Sequence, residues 1–116
     1  MSNLHLTLPY PPSVNTYWGF HGHRRFVTTK ALQFKARVAH AVSQSNVRFG
    51  NERLEILVAL YAPDKRIRDI DNVLKPLLDA LVQAGLFKDD SQVDMLTVIR
   101  KEYIAGGQCQ VVVKSY

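Results

Sequence analysis

The chain has 116 residues, 47% of them hydrophobic and 22% charged, enough for one compact domain (1–116) with a single core and too few for two domains of ordinary size. No stretch approaches the ~20 continuous apolar residues that span a bilayer, and the opening Met1-Ser2-Asn3-Leu4 lacks the blocks of a secretion signal, so a cytoplasmic chain with no membrane partner is expected. The formal charge of +5 favours a polyanionic partner, because neutralising phosphates releases counterions, while the single cysteine, Cys109, has no second thiol for a disulfide or a zinc site and reads as packing.

Leu4, Leu6 and Leu8 alternate with His5 and Thr7, which predicts a strand that Pro9 ends by removing a ladder donor. From Pro9 to Phe26 the prolines, glycines, bases and aromatic rings read as one long loop, either mobile or functional. Thr28 is placed to cap a helix running to about Asn46, in which Ala31, Phe34, Val38 and Val42 recur at helical spacing. A second strand spans Leu54 to Leu60 and stops before Pro63. The second helix, from about Val73 to Ala84, carries Leu74, Leu77, Leu78 and Leu81 on one stripe, with Asn72 as its cap and Gly85 where a left-handed C-terminal cap belongs. Pro76 near its start loses one backbone bond at small cost. Lys88-Asp89-Asp90-Ser91 reads as a turn and Val93 to Tyr103 as a long strand. Ala105-Gly106-Gly107 is then expected to form a hairpin that pairs the last strand, Cys109 to Val113, antiparallel with it. The expected fold is α/β (α+β): a mixed four-stranded sheet with two helices packed on one face, in the order β-α-β-α-β-β.

Asp69 and Asp71 are two apart, so in an extended segment both carboxylates project to one side and can share a cation. They also adjoin a helix amino terminus, where anions are favoured; a capping role for Asp71 or Asn72 is the competing explanation, and it leaves Asp69 without a task. Lys75 and Asp79 follow Asp71 at successive four-residue spacings, either as a solvated ion pair or as an ammonium aimed at a phosphate oxygen. Together with Asp89 and Asp90 in the following turn, these oxygen donors suit a hard cation such as magnesium. The scattered His5, His21, His23 and His40 argue against zinc. Lys65, Arg66 and Arg68 immediately precede the carboxylates, which implies a phosphate-bearing substrate. Arg24, Arg25, Lys30, Lys35 and Arg37 form a second basic region, and Tyr10, Tyr17, Trp18 and Phe20 either stack on exposed bases or pack the loop.

Three stretches resemble the RusA family of Holliday-junction resolvases of bacteria and their phages: Leu-Pro-Tyr-Pro-Pro-Ser-Val-Asn at 8–15, Arg-Asp-Ile-Asp-Asn-Val-Leu-Lys at 68–75 with Asp79-Ala80-Leu81, and Asp-Asp-Ser-Gln-Val at 89–93. The likeness covers nearly the whole chain, with departures at Pro76 and in the middle of the first helix. It implies a homodimer that uses magnesium, or manganese in its place, to set paired symmetric nicks across a four-way DNA junction. Asp69, Asp71, Lys75 and Asp90 would be catalytic, with Asp69, Asp71 and Asp90 holding the metal. Asn15, Arg24, Arg25, Lys65, Arg66 and Arg68 are the expected DNA contacts. The second helix is roughly 18 Å long at ~1.5 Å per residue, which makes the return to Asp90 marginal and raises the alternative that Asp90 serves the partner subunit's site. Two rival functions are a non-catalytic branched-DNA-binding recombination accessory protein and a magnesium-dependent nucleotide phosphohydrolase. The second lacks a glycine-rich phosphate loop.

Overall fold

In a computed structural model the described residues are 3–116; Met1 and Ser2, part of the segment read for a secretion signal, lie outside them. The leucine alternation forms β1 (Asn3–Leu8), and Ser13 caps a single-turn helix α1 (Val14–Tyr17). What the sequence suggested to be loop then continues as a two-stranded ribbon, β2 (Trp18–His21) and β3 (Arg24–Val27). Gly22, with φ of +63°, supplies the positive backbone angle at the first position of its two-residue turn, and aromatic or β-branched residues on both sides favour the extended state. Thr28 caps α2 (Thr29–Ser45) as expected, its hydroxyl accepting from the Ala31 N–H at 3.3 Å.

β4 (Leu54–Tyr61) follows, then a 3-10 turn over Ile70–Val73 leading into α3 (Leu74–Gln83). Asn72 is not the cap: α3 begins after Val73 with no side-chain capping bond. Pro76 sits in its first turn, where the N–H that proline lacks has no intrahelical acceptor, so it costs the helix no backbone bond. Gly85, φ +83°, completes a Schellman cap in which Leu86 N–H reaches Leu81 O and Gly85 N–H reaches Val82 O. A second 3-10 turn (Asp90–Gln92) leads into β5 (Val93–Arg100), and β6 (Gln108–Ser115) closes the chain.

The main sheet is mixed, in the order β1-β6-β4-β5. β6 does not pair with β5, contrary to the hairpin expected around Gly106-Gly107. It lies antiparallel between β1 and β4, while β5 runs parallel to β4 on the other side. Segment 101–107 is long enough to step over the end of β4, a distance of about 10 Å at ~4.8 Å per strand, and Lys101 N–H and Ile104 N–H bond the carbonyls of Leu60 and Ala62 on the way. β4 wins the central position because its buried side chains, Leu54, Ile56, Val58 and Leu60, gain most from neighbours on both edges.

Those four residues share one face with Leu6, Leu8, Cys109, Val111 and Val113, and the helices cover it with Phe34, Val38, Val42, Leu77 and Leu81. Burial pushes the Cys109 thiol up to about 12, so it is a packed, protonated thiol and no nucleophile. The opposite face is open, with Met95 and Ile99 exposed on β5. Among the described residues no helix is long and apolar enough to cross a membrane. Leu77 has no exposed surface at the contact between α3 and the sheet. Leu77→Ala is therefore expected to lower the unfolding free energy by about 3 kcal/mol, read as a shift of the urea midpoint.

Candidate active site

The segment after β4 is held by one carboxylate. Asp64 accepts from Arg68 Nη1 at 2.8 Å and from Arg66 Nη2 at 3.0 Å, and its second role is to accept the Arg66 backbone N–H at 3.0 Å. Hydrogen bonds from Arg68 and then Arg66 hold this carboxyl well below the usual carboxylate range. Arg68 also donates to the Asp64 carbonyl, and its own carbonyl accepts from the Arg100 guanidinium at the end of β5. The turn that presents Asp69 is thus tied both to itself and to the sheet.

Asp69 lies on the wall of a groove of about 660 Å³ formed between the 9–16 segment, α2 and the 63–73 segment. Tyr10, Asn15, Lys30, Arg37, Arg66 and Arg68 also line it. Cations therefore surround the one acidic lining residue. Neither Asp69 nor Asp71 caps the helix. Of the seven aspartates they are the two whose side chains have no hydrogen-bond or ion-pair partner among the described residues. The capping explanation fails, and two exposed carboxylates flanking Ile70 are left free to take a cation.

Lys75, in the first turn of α3, extends its ammonium to Asp79 Oδ1 at 3.0 Å and to Asp90 Oδ2 at 3.0 Å. The hydrogen bond it donates to Asp90, then that to Asp79, raises the Lys75 pKa above its ordinary value of 10.5. Asp90 consequently reaches Lys75 on α3 of its own chain. The Schellman turn at Gly85 reverses the chain at once, and the lysine side chain covers the remaining distance. Among the described residues no three carboxylate, imidazole or thiol groups stand together in a metal-holding arrangement. Asp90 is engaged with Lys75 instead, and hard oxygen donors remain at Asp69 and Asp71.

Asp90 owes its position to a residue that the sequence reading passed over. Gln92 is buried; its Oε1 accepts from the N–H groups of Lys88 and Asp89, and its Nε2 donates to the carbonyls of Gly50 and Glu52. With Asp89 Oδ2 accepting from Ser91 N–H, this is a capping box, and the spacing Asp89-x-x-Gln92 was its visible sign. Arg100, which anchors Arg68, carried no such sign. Of the expected DNA contacts, Asn15, Arg66 and Arg68 line the groove, with both arginines already paired to Asp64. Arg24 and Arg25 lie on the β2–β3 ribbon instead, and Lys65 is exposed outside the groove lining.

Residues 9–114 match the family model described as Endodeoxyribonuclease RusA. The chain belongs to the RusA family. A crossover junction endodeoxyribonuclease of Enterobacteria phage HK97 is 40% identical over 109 residues, covering 93% of this chain and 91% of that protein. Proteins of the same name from Enterobacteria phage 82 and Escherichia coli K12 are 32% and 31% identical, each over 97% of this chain and 95% of the relative. The RusA match therefore takes in the groove, the paired aspartates and the Lys75 cluster together.

Two substitutions separate support from chemistry. Gln92→Leu strands two carbonyls and two N–H groups and is expected to cost about 2–3 kcal/mol in urea unfolding. Asp69→Asn, which removes no contact, is expected to stay within about 0.5 kcal/mol of the parent in the same titration.

Proposed function

We infer that this chain is a structure-selective endodeoxyribonuclease that resolves four-way DNA junctions by metal-dependent hydrolysis of phosphodiesters. The observation that carries the reading is the pair of unpartnered carboxylates, Asp69 on the wall of a groove lined by arginine and lysine and Asp71 two residues on, one helical turn before a lysine ammonium fixed by Asp79 and Asp90. The names of the RusA relatives, crossover junction endodeoxyribonuclease, specify the substrate class.

Magnesium suits the donor set, since carboxylate oxygens are hard ligands and no imidazole or thiol competes nearby. Asp69 and Asp71 would hold it, while Asp90, which was expected to join them, is bonded to Lys75 and does not cluster with that pair among the described residues; when bound, the metal would supply charge neutralisation at the phosphate and an acidified water. The remaining work belongs to the chain's own side chains. An ammonium has three N–H donors; Lys75 spends two on Asp79 and Asp90, which leaves one for a non-bridging phosphate oxygen. Because its pKa is raised, Lys75 stays charged throughout the neutral range and acts as an electrostatic group, not as a base. The same shift has a sign for stability: the contribution is complete below the unfolded lysine pKa and is lost as pH climbs through the higher folded one. Lys30, Arg37 and Arg66 draw the backbone into the groove.

Symmetric nicks on two strands need two such sites. One chain carries a single copy of the cluster, so a twofold homodimer is the economical arrangement, and the exposed Met95 and Ile99 on the open sheet face supply apolar surface for it. The reading is tested by incubating the purified protein with four-way, linear duplex and single-stranded DNA, with magnesium or with excess chelator. Cleavage should be confined to the junction and to magnesium, and Asp69→Asn and Lys75→Met should each slow it by about 100-fold or more. Metal-independent cutting, junction binding without cutting, or turnover of mononucleotides would each replace this function with another.

A further inference from the structure

The charges of this chain are unevenly distributed. Residues 1–51 contain six Lys or Arg and not one Asp or Glu, whereas all ten acids follow in 52–116. The β2–β3 ribbon lies wholly within the acid-free part and pairs with no strand of the main sheet. Its aromatic rings face solvent: Phe20 is 69% exposed, Phe26 47% and Trp18 37%.

These rings are arranged as flat platforms. On one face, the Arg25 guanidinium lies 4.0 Å from the Trp18 ring centroid, and Arg25 stands directly across the ladder from Phe20. Trp18, Arg25 and Phe20 thus share one face of the ribbon, with the guanidinium over the Trp18 ring. On the other face Phe26 lies over Gly19, where a Cβ would come within 2.4 Å of the ring, so glycine alone permits that approach. Three exposed rings on a ten-residue hairpin are a poor choice for a surface that meets only water. The base of the ribbon is also close to the chemistry, since Trp18 lines a small recess with Lys75, Pro76 and Asp79.

We propose that the β2–β3 ribbon is a base-stacking probe that reads the unstacked bases at the branch point of the DNA substrate, with Phe20 as its leading ring. The proposal rests on the nuclease reading above and names the element that makes it selective. In a continuous duplex every base face is covered by its neighbours, and an aromatic ring finds only edges and phosphates. At a branch point the stack is interrupted and base faces become available to rings and guanidinium planes. Arg24, Arg25 and the histidines His21 and His23 sit where flanking phosphates would pass, and no carboxylate of the ribbon opposes them. Because Trp18 shares the recess with Lys75, stacking at the branch would set the scissile phosphate beside the ammonium.

The test measures affinity for a four-way junction and for a linear duplex of the same sequence in chelator, so that its outcome does not depend on cleavage. Phe20→Ala should weaken junction binding about fivefold or more while duplex binding changes by less than about twofold, and Phe20→Trp should retain the preference. Sedimentation of the same proteins should give the same oligomeric state for all. Equal loss on both substrates, unchanged junction affinity in Phe20→Ala, or dissociation of the variant into smaller species would overturn the proposal, the last by assigning the ribbon to contact between copies. Failure of the wild-type protein to cleave in the preceding assay is a separate result and sinks the nuclease reading instead.

Discussion

Parallel pairing of β4 with β5 is the constraint from which the site follows. Parallel neighbours cannot be joined by a tight turn, so the chain must leave the end of β4 and return to the start of β5 by a long crossover. Asp69, Asp71, Lys75, Asp79 and Asp90 all lie on that excursion. α3 packs Leu77 and Leu81 into the core and so fixes the crossover against the sheet, leaving its opposite side for charge. Packing and chemistry are therefore divided between two faces of one ten-residue helix.

Around that helix the fold spends its strongest polar contacts on orientation. Asp64 gathers Arg66 and Arg68, Arg100 holds the Arg68 carbonyl, and Gln92 makes four hydrogen bonds beneath the turn that carries Asp90. The arginines expected to bind DNA outright are thus partly committed to shaping the loop, though an exposed guanidinium has donors to spare. In contrast, Asp69 and Asp71 are supported only through their backbone. Two carboxylates without partners depart from the paired pattern around them, and such departures are characteristic of functional positions.

The groove gains its polarity from segments far apart in sequence. Lys30 and Arg37 come from α2, Asn15 and Tyr10 from the proline-rich segment, and Arg66 and Arg68 from the crossover. The acid-free first half of the chain and the acid-bearing second half meet there, so the carboxylates sit at the edge of a positive field that would collect phosphates and present them to the acidic corner.

Much of this was legible in one dimension, for local reasons. Period-two leucines, the Thr28 cap, the helical stripe of α3 and the glycine at its end each depend on residues within a few positions, and the Asp69–Asp71 spacing with Lys75 one turn later is likewise local. Pattern alone could not rank the strands. Whether β6 joins β5 or inserts between β1 and β4 depends on which arrangement buries both edges of β4, a competition among residues that lie far apart along the chain. The same holds for the ribbon hidden in the proline- and glycine-rich stretch, for the return of Asp90 to Lys75, and for the burial of Gln92. Sequence by itself determined which side chains could do chemistry, because that is a property of residue type and spacing. Tertiary structure decided which of them meet and which stay unpaired, because long-range burial of the core chooses the path that carries them.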